Sequence, residues 1–451
     1  MQGKIVHNPQ SDLFKIPLKD IVSEKIDLVQ LTHKIAWPDV EVHFGPLYSS
    51  QGRPSVPTQT MVGLLLLKSM FSVSDEDLIP SWIQNPYWQY FCGEQYFRDT
   101  GPCDPSDLVH FRKRIGKEGS EYLLKLTVRI HGKDAFEESQ VICDTTVQEK
   151  DITFPTDAKL YYAIIEQCWK IEKDNKIKLH QSFRFLSKEM RLKLRFAHHP
   201  KKKKQARQAL KKLKSFAFKL IRQLKALMNE EQNKVYAQKF TLFTRVLQQQ
   251  KQDSNKIYSL HEPDVYCMAK GKENKTYEFG CKASIALTKS SGIIVGATTF
   301  GKNTNDLYTI EQTLEQIKYT TDKLPQELIC DRGYRGKTKV GECRISIPKP
   351  LAKMATRYQK QKVREKFRRR ASIEPVIGHL KYQHRMARNF LKGKLGDFMN
   401  CVLAAAGFNL KKMLRKLASS LNCHLDMVLC YFFAQLKSDF LRKDYLAHPK
   451  R

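Results

Sequence analysis

Three carboxylates in this chain stand where local structure gives them no ordinary work. Asp144 interrupts the apolar, β-branched run QVICDTTV; Asp331 closes the run ELIC and opens a glycine-broken basic loop, DRGYRGK; Glu374 lies inside RRRASIEPVIGHLK. A carboxylate in a strand is costly unless paired, but at a strand's C-terminal end it occupies the place where α/β folds put their sites. Asp144 and Asp331 can converge if their strands are neighbours in one sheet. Oxygen ligands with no Cys/His set nearby suit a hard cation, Mg²⁺ or Mn²⁺. Two such ions between shared carboxylates would activate a nucleophilic oxygen and stabilise the leaving oxygen of an in-line phosphoryl transfer.

Glu374 needs a helix to bring it to the strand acids. Ser372 is a natural N-cap and Pro375 is tolerated in a first turn. Lys381, seven residues after Glu374, falls two turns along the same face, where a cation can hold a phosphate. Arg370 is four residues before Glu374, but a helix starting at Pro375 would leave their alignment open. An ordinary surface helix carrying an acid and a lysine is the competing reading. In the loop after Asp331, the glycines would let the backbone approach DNA closely. Arg332, Tyr334, Arg335 and Lys337 could there touch phosphate or stack on a base, or simply balance the acids' charge.

The elements that position these residues follow from the patterning. The two β-rich runs YEFGCKASIALT and GIIVGATTFG, separated by KSSG, read as a hairpin; DLYTIEQTLEQIKY reads as a helix, ELIC and CRISIPK as strands. Together they make an α/β core with a mixed sheet. The N-terminal part is helical: TMVGLLLLKSMF is buried, Ser74 caps the next helix, and CDPSDLVHFRKRIG starts a helix at Ser106 and stops it at Gly116. Arg112, Lys113 and Arg114 near its end form either a solvated face or a DNA contact. Between Thr156 and Ile257 the pattern turns to long helices almost free of glycine and proline. From Arg184 to Lys225 there are 16 Lys and Arg against one acid, Glu189, so this basic insertion is a nucleic-acid clamp in preference to a solvated face.

The whole chain, 451 residues, carries 79 Lys+Arg against 46 Asp+Glu, net +33. Such an excess calls for a polyanionic partner, nucleic acid first. The longest apolar runs are well under the roughly 20 residues that span a bilayer, and the N-terminus has no apolar signal core. Eleven cysteines without a C-x-x-C pair argue against a disulfide framework and a zinc knuckle and for reduced, cytosolic thiols, and the expected location is cytoplasmic, associated with the nucleoid.

DTTVQEKDITFPTD, HEPDVYCMAKGK, YEFGCKASIA and DRGYRG resemble motifs of bacterial insertion-sequence transposases of the aspartate-aspartate-glutamate type, in insertion-sequence family five. NPYWQYFCGEQYF and PCDPSDLVHFRKRIG resemble the helical domain that precedes their catalytic core; the likeness runs from about residue 50 to about residue 412. It implies a ribonuclease-H-like fold, divalent metal, cutting and joining of double-stranded DNA at element ends and target, and at least a dimer on DNA. Carried over, the catalytic and metal-binding triad is Asp144, Asp331 and Glu374. Arg370, Glu374 and Lys381 match a tyrosine-arginine-glutamate-lysine signature, whose tyrosine position holds Phe367. The expected organisation is a helical DNA-binding domain over 1–135, a catalytic core over 136–157 and 256–400, the basic insertion over 158–255, and a helical C-terminal tail over 401–451 with a possible role in assembly. Two rival readings share these residues: a metal-dependent nuclease of the same fold that does not rejoin, and a non-catalytic DNA-binding derivative.

Overall fold

The computed structural model describes residues 1–5, 15–269, 276–302, 304–348 and 356–419. The stretch from 420 onward, expected to act in assembly, lies outside the described residues.

Among the described residues, eight α-helices precede the first strand: α1 (Leu18–Ile21), α2 (Asp27–Lys34), α3 (Trp37–Phe44), α4 (Thr58–Phe71), α5 (Asp75–Gln84), α6 (Pro86–Phe91), α7 (Pro105–Ile130) and α8 (Lys133–Phe136). Leu64 to Leu67 of α4 are wholly buried, as its unbroken apolar run requires. Ser74 caps α5 by accepting from the Asp77 amide at 2.9 Å. Two expectations for α7 need correction. Asp104, not Ser106, is the N-cap, in a reciprocal capping box with Asp107. Gly116 does not end the helix but kinks it, with φ 59° and ψ −157°, a conformation only glycine adopts without strain. Beyond the kink, Leu124 and Val128 reach the sheet, so α7 joins the N-terminal cluster to the core. Arg112 is no DNA contact: it is buried and grips Asp75 through two bonds of 2.9 and 2.6 Å.

The sheet holds seven strands: β1 (Gln140–Glu149), β2 (Tyr266–Ala269), β3 (Tyr277–Thr288), β4 (Ile294–Phe300), β5 (Glu327–Ile329), β6 (Lys339–Val340) and β7 (Cys343–Ser346). Its order is β2-β3-β1-β5-β7-β6, with β4 also paired to β3. β1 pairs antiparallel with β3 and parallel with β5, which is parallel to β7. This is the mixed α/β sheet of a ribonuclease-H-like core. One face is covered by α15 (Ile373–Gln383) and α16 (residues 393–419), over Ile142, Ile285 and Ile329. The other is covered by α13 (Ile310–Thr321), over Val141, Cys143 and Leu328. The strands are buried on both sides, which explains their near-continuous apolar runs.

Between β1 and β2 come α9 (Asp157–Asp174), α10 (Arg184–Leu194), α11 (Lys203–Leu227) and α12 (Glu230–Gln248), packed around a hydrophobic cluster of their own from Leu160 to Ile257. α11 buries Ala206, Ala209, Leu213, Ala217 and Leu220, a clean three-to-four periodicity, and turns its lysines outward. The chain leaves β1 and returns to β2 at one place: Lys150 is buried against Glu262 (3.3 Å) and Asp397 (2.7 Å), and the His261 imidazole meets the Asp151 carbonyl at 3.2 Å. Among the described residues, no helix is long and apolar enough to cross a membrane.

Candidate active site

Sheet register places the first two acids. β1 and β5 run parallel with Ile142 opposite Ile329. Two residues further along each chain, just past the last paired residues, come Asp144 and Asp331, on paths that leave the ladder one strand spacing, roughly 4.8 Å, apart. Asp144 sits inside β1, opposite Ile285 of β3, and its Oδ1 accepts from the Thr145 amide at 2.8 Å. Asp331 lies just past β5 as the cap of a short turn, with Oδ1 accepting from the Gly333 amide at 2.7 Å. Burial pushes the Asp144 carboxyl up to about 6. The charges of Asp331 and Asp306 push the same way, against the Thr145 amide and the Arg370 guanidinium. Like charges crowded at a partly buried edge favour a cation or a proton between them.

The third acid arrives differently. α14 (Arg357–Arg370) ends at Arg370, and α15 begins at Ile373. Ser372 was expected to cap α15; instead it has helical angles, φ −64° and ψ −15°, and makes no capping bond. Because the backbone stays helical through the junction, Arg370 remains one turn before Glu374 and the two face each other. Its guanidinium lies 3.6 Å from the Glu374 carboxylate through Nη2 and 3.6 Å from Asp144 through Nη1. Arg370 thus spans the strand acid and the helix acid, while the Glu374 side chain is 66% exposed. Lys381 is half-buried on the same helix. Phe367 packs against the core around Ile142 and Ile285, a role that has no use for a hydroxyl.

The loop after Asp331 differs from expectation at one residue. Arg332 and Arg335 are exposed, and Lys337 pairs with Glu311 at 2.5 Å. Tyr334 is a correction: its side chain is fully buried, with Oη 3.6 Å from the Cys143 thiol, so it anchors the loop and has no face to offer a base. Cys143 also meets Ser284 (3.4 Å), which receives the Thr313 hydroxyl (2.9 Å), so a buried polar seam underlies both acids. The glycines serve the fold too. A Cβ on Gly333 would stand 2.8 Å from Asp306 Oδ2 and 3.0 Å from Asp331 Oδ1, and Gly336 has φ +130°.

Asp306 is the residue that sequence reasoning passed over. Its Oδ1 accepts from the Thr145 hydroxyl and from Lys282 Nζ, both at 2.8 Å, and Oδ2 faces Gly333. One side chain therefore bonds the neighbour of Asp144 and lies beside Gly333, two residues after Asp331. The signal available was Asn305-Asp306 in the connection between a strand and a helix; Asn305 caps the turn there. Nothing in that signal tells of Thr145, which lies 161 residues away.

Residues 16–114 match the family described as "Transposase domain (DUF772)", and residues 248–410 match "Transposase DDE domain". A protein of Rhizobium meliloti, "Uncharacterized protein ORF8 in nfe locus", is 39% identical over 194 residues, which are 42% of this chain and 94% of that protein. The chain belongs to the DDE transposases. Asp331 and Glu374 fall inside the DDE match, and Asp144 lies between the two matched segments. No solved structure matches the transposase. DDE transposase domains use divalent metal ions, and the donor set here fits: Asp144, Asp331 and Glu374 offer carboxylate oxygens only, as a hard cation prefers. Among the described residues, however, no group of three or more His, Cys, Asp or Glu is close enough to hold an ion. Between Asp144 and Glu374 stands Arg370.

Proposed function

We propose that this transposase binds the terminal inverted repeats of its own insertion sequence, an element of family five, cleaves DNA at those ends and joins them to target DNA. Asp144, Asp331 and Glu374 would be both the catalytic triad and the ligands of Mg²⁺ or Mn²⁺, two ions in all. What supports this most is the parallel register that brings Asp144 and Asp331 onto neighbouring paths, with Arg370 linking Asp144 to Glu374. Bound between these carboxylates, divalent ions would supply an activated nucleophilic oxygen and a stabilised leaving oxygen. The chain's own work is placement. Arg332, Arg335, Lys337, Arg370 and Lys381 would hold phosphates beside the scissile bond through charge-assisted bonds, which fix position without reading sequence. The helices of 1–135 would bind the element ends, and α10 and α11 would clamp the duplex. Joining requires two ends held together, so at least a dimer would assemble on DNA, and the protein would reside on the nucleoid.

A pre-cleaved end with a free 3′ hydroxyl, offered with target DNA and Mg²⁺, tests the reading. Covalent end-to-target products are expected, and they should vanish in Asp331→Ala. Cleavage of intact ends with no joined product would instead make the protein a nuclease of the same fold.

A further inference from the structure

Among the side chains described in α14, none is buried, unlike those of the other core helices. Its inner edge, Val363, Phe367 and Arg370, is half-buried; Arg357, Lys360, Arg364 and Arg368 recur at i, i+3, i+7 and i+11 and are all exposed. That row spans about 16 Å at 1.5 Å per residue, comparable to roughly five phosphates along one DNA strand. The helix's two glutamines bond locally: Gln359 Oε1 accepts from the Thr356 amide to close the capping box, and Gln361 Nε2 donates to Glu365, each at 3.1 Å. A row of exposed cations at phosphate-like spacing along one flank of a helix suits a phosphate backbone, which carries no sequence information. The row ends where Arg370 enters the active site. There its two carboxylate contacts, both 3.6 Å, are ion pairs too long for hydrogen bonds. A DNA phosphate accepting two short bonds from a guanidinium is a strong competitor for it.

We propose that the outer face of α14 docks duplex DNA without regard to sequence, and that phosphates arriving along it draw Arg370 out from between Asp144 and Glu374, so that DNA opens the place where the acids hold metal. This rests on the triad reading above and adds an order of events: duplex first, ion second. Before DNA binds, the guanidinium neutralises the acids and blocks their convergence. Afterwards the same guanidinium serves the phosphate, and Asp144 and Glu374 are free to turn to a cation. Linkage makes the coupling reciprocal, so duplex should tighten Mn²⁺ binding and Mn²⁺ should tighten duplex binding by one common factor.

Free Mn²⁺, followed by its paramagnetic resonance during titration of the full chain, reads this without any turnover. The duplex used should contain no element end, and Asp144→Ala with the same duplex supplies the background. The expected result is a duplex-induced gain in Mn²⁺ affinity of about 5- to 150-fold, the usual range of such couplings. Arg370→Gln should bind Mn²⁺ tightly without DNA and gain little from it. Exchanging Arg357, Lys360, Arg364 and Arg368 for glutamine should reduce the log-log salt slope of duplex binding by up to about 3.6, at 0.9 per phosphate. Equal Mn²⁺ affinity with and without duplex in the wild type would overturn the proposal. So would an Arg370→Gln protein that still needs DNA, or an unchanged salt slope. If instead Asp144→Ala bound Mn²⁺ as well as wild type, the triad reading itself would fall.

Discussion

Asp144 and Asp331 are placed by backbone, Glu374 by a side chain. The strand acids are fixed by a parallel ladder, by amides at 2.8 and 2.7 Å, and from beneath by Asp306. Glu374 projects from an exposed first turn of α15 and is linked to Asp144 through Arg370, 3.6 Å from each carboxylate. Groups held within a fraction of an ångström need locked surroundings, and a group that must move needs the opposite. On the proposed triad, one site would contain both kinds: a rigid pair, Asp144 and Asp331, and a third acid, Glu374, whose engagement is conditional.

The largest test breaks the pair itself. Asp144→Ala or Asp331→Ala should lower cleavage by well over the roughly 100-fold seen when outer partners of metal ligands are lost, while duplex binding survives. Asp144→Glu should be as damaging as alanine, because the ladder cannot shift to absorb a methylene. Glu374→Asp should keep measurable cleavage. Equal losses for those two variants, measured as single-turnover rates, would erase the distinction between rigid and conditional acids.

A second effect is on stability. The Asp144 carboxyl titrates near 6 when folded and near 3.8 when unfolded. Below pH 4 both states hold the proton, and the group costs nothing. From pH 4 to 6 the unfolded state loses it first, so this group lowers stability as pH rises, and above pH 6 the cost is complete, at most about 3 kcal/mol at 1.36 kcal/mol per unit. Asp144→Asn should therefore raise the melting temperature at pH 7.5 and leave it unchanged below pH 4. A gain at both values would trace the strain to shape and not to charge.

Asp306 sharpens the comparison from below. Asp306→Ala should cost about 10- to 100-fold in cleavage, with the salt slope of duplex binding unaltered. A fall in duplex affinity would make it part of the DNA surface. Smallest is Tyr334→Phe, which removes one contact to Cys143 and should cost about 1 kcal/mol in denaturant unfolding. Loss of DNA binding in that variant would return Tyr334 to the interface.

What could be read in the sequence was whatever local pattern determines. An acid breaking an apolar run marks a strand-borne position, and alternating runs mark the sheet, so the strand positions of Asp144 and Asp331 and the mixed core were legible. Asp306 was not, because its meaning lies in a bond to Thr145 that only the folded sheet creates. Tyr334 was misread for the complementary reason: a glycine-broken basic loop looks solvent-facing throughout, and nothing local reveals that one of its side chains turns inward. Ser372 and Gly116 were judged by end-of-helix preferences of about 1 kcal/mol or less, which packing on either side overrides.

The clasp of Lys150 with Glu262 and Asp397 bears on how such a chain can change through its history. The long excursion from β1 to β2 starts and finishes at neighbouring points, closed by His261 on Asp151. To the sheet, the excursion is therefore a handle on a single mount, and the mount's geometry is indifferent to the handle's length. Loop-closure entropy grows only logarithmically with length, about 0.6 kcal/mol per doubling. Lineages could lengthen, exchange or delete the arm, with its separate apolar centre, while Asp144 stayed beside Asp331. A chain in which residues 155–258 are replaced by a short glycine-serine bridge should still fold its sheet; if it does not, the arm is a strut and not a handle.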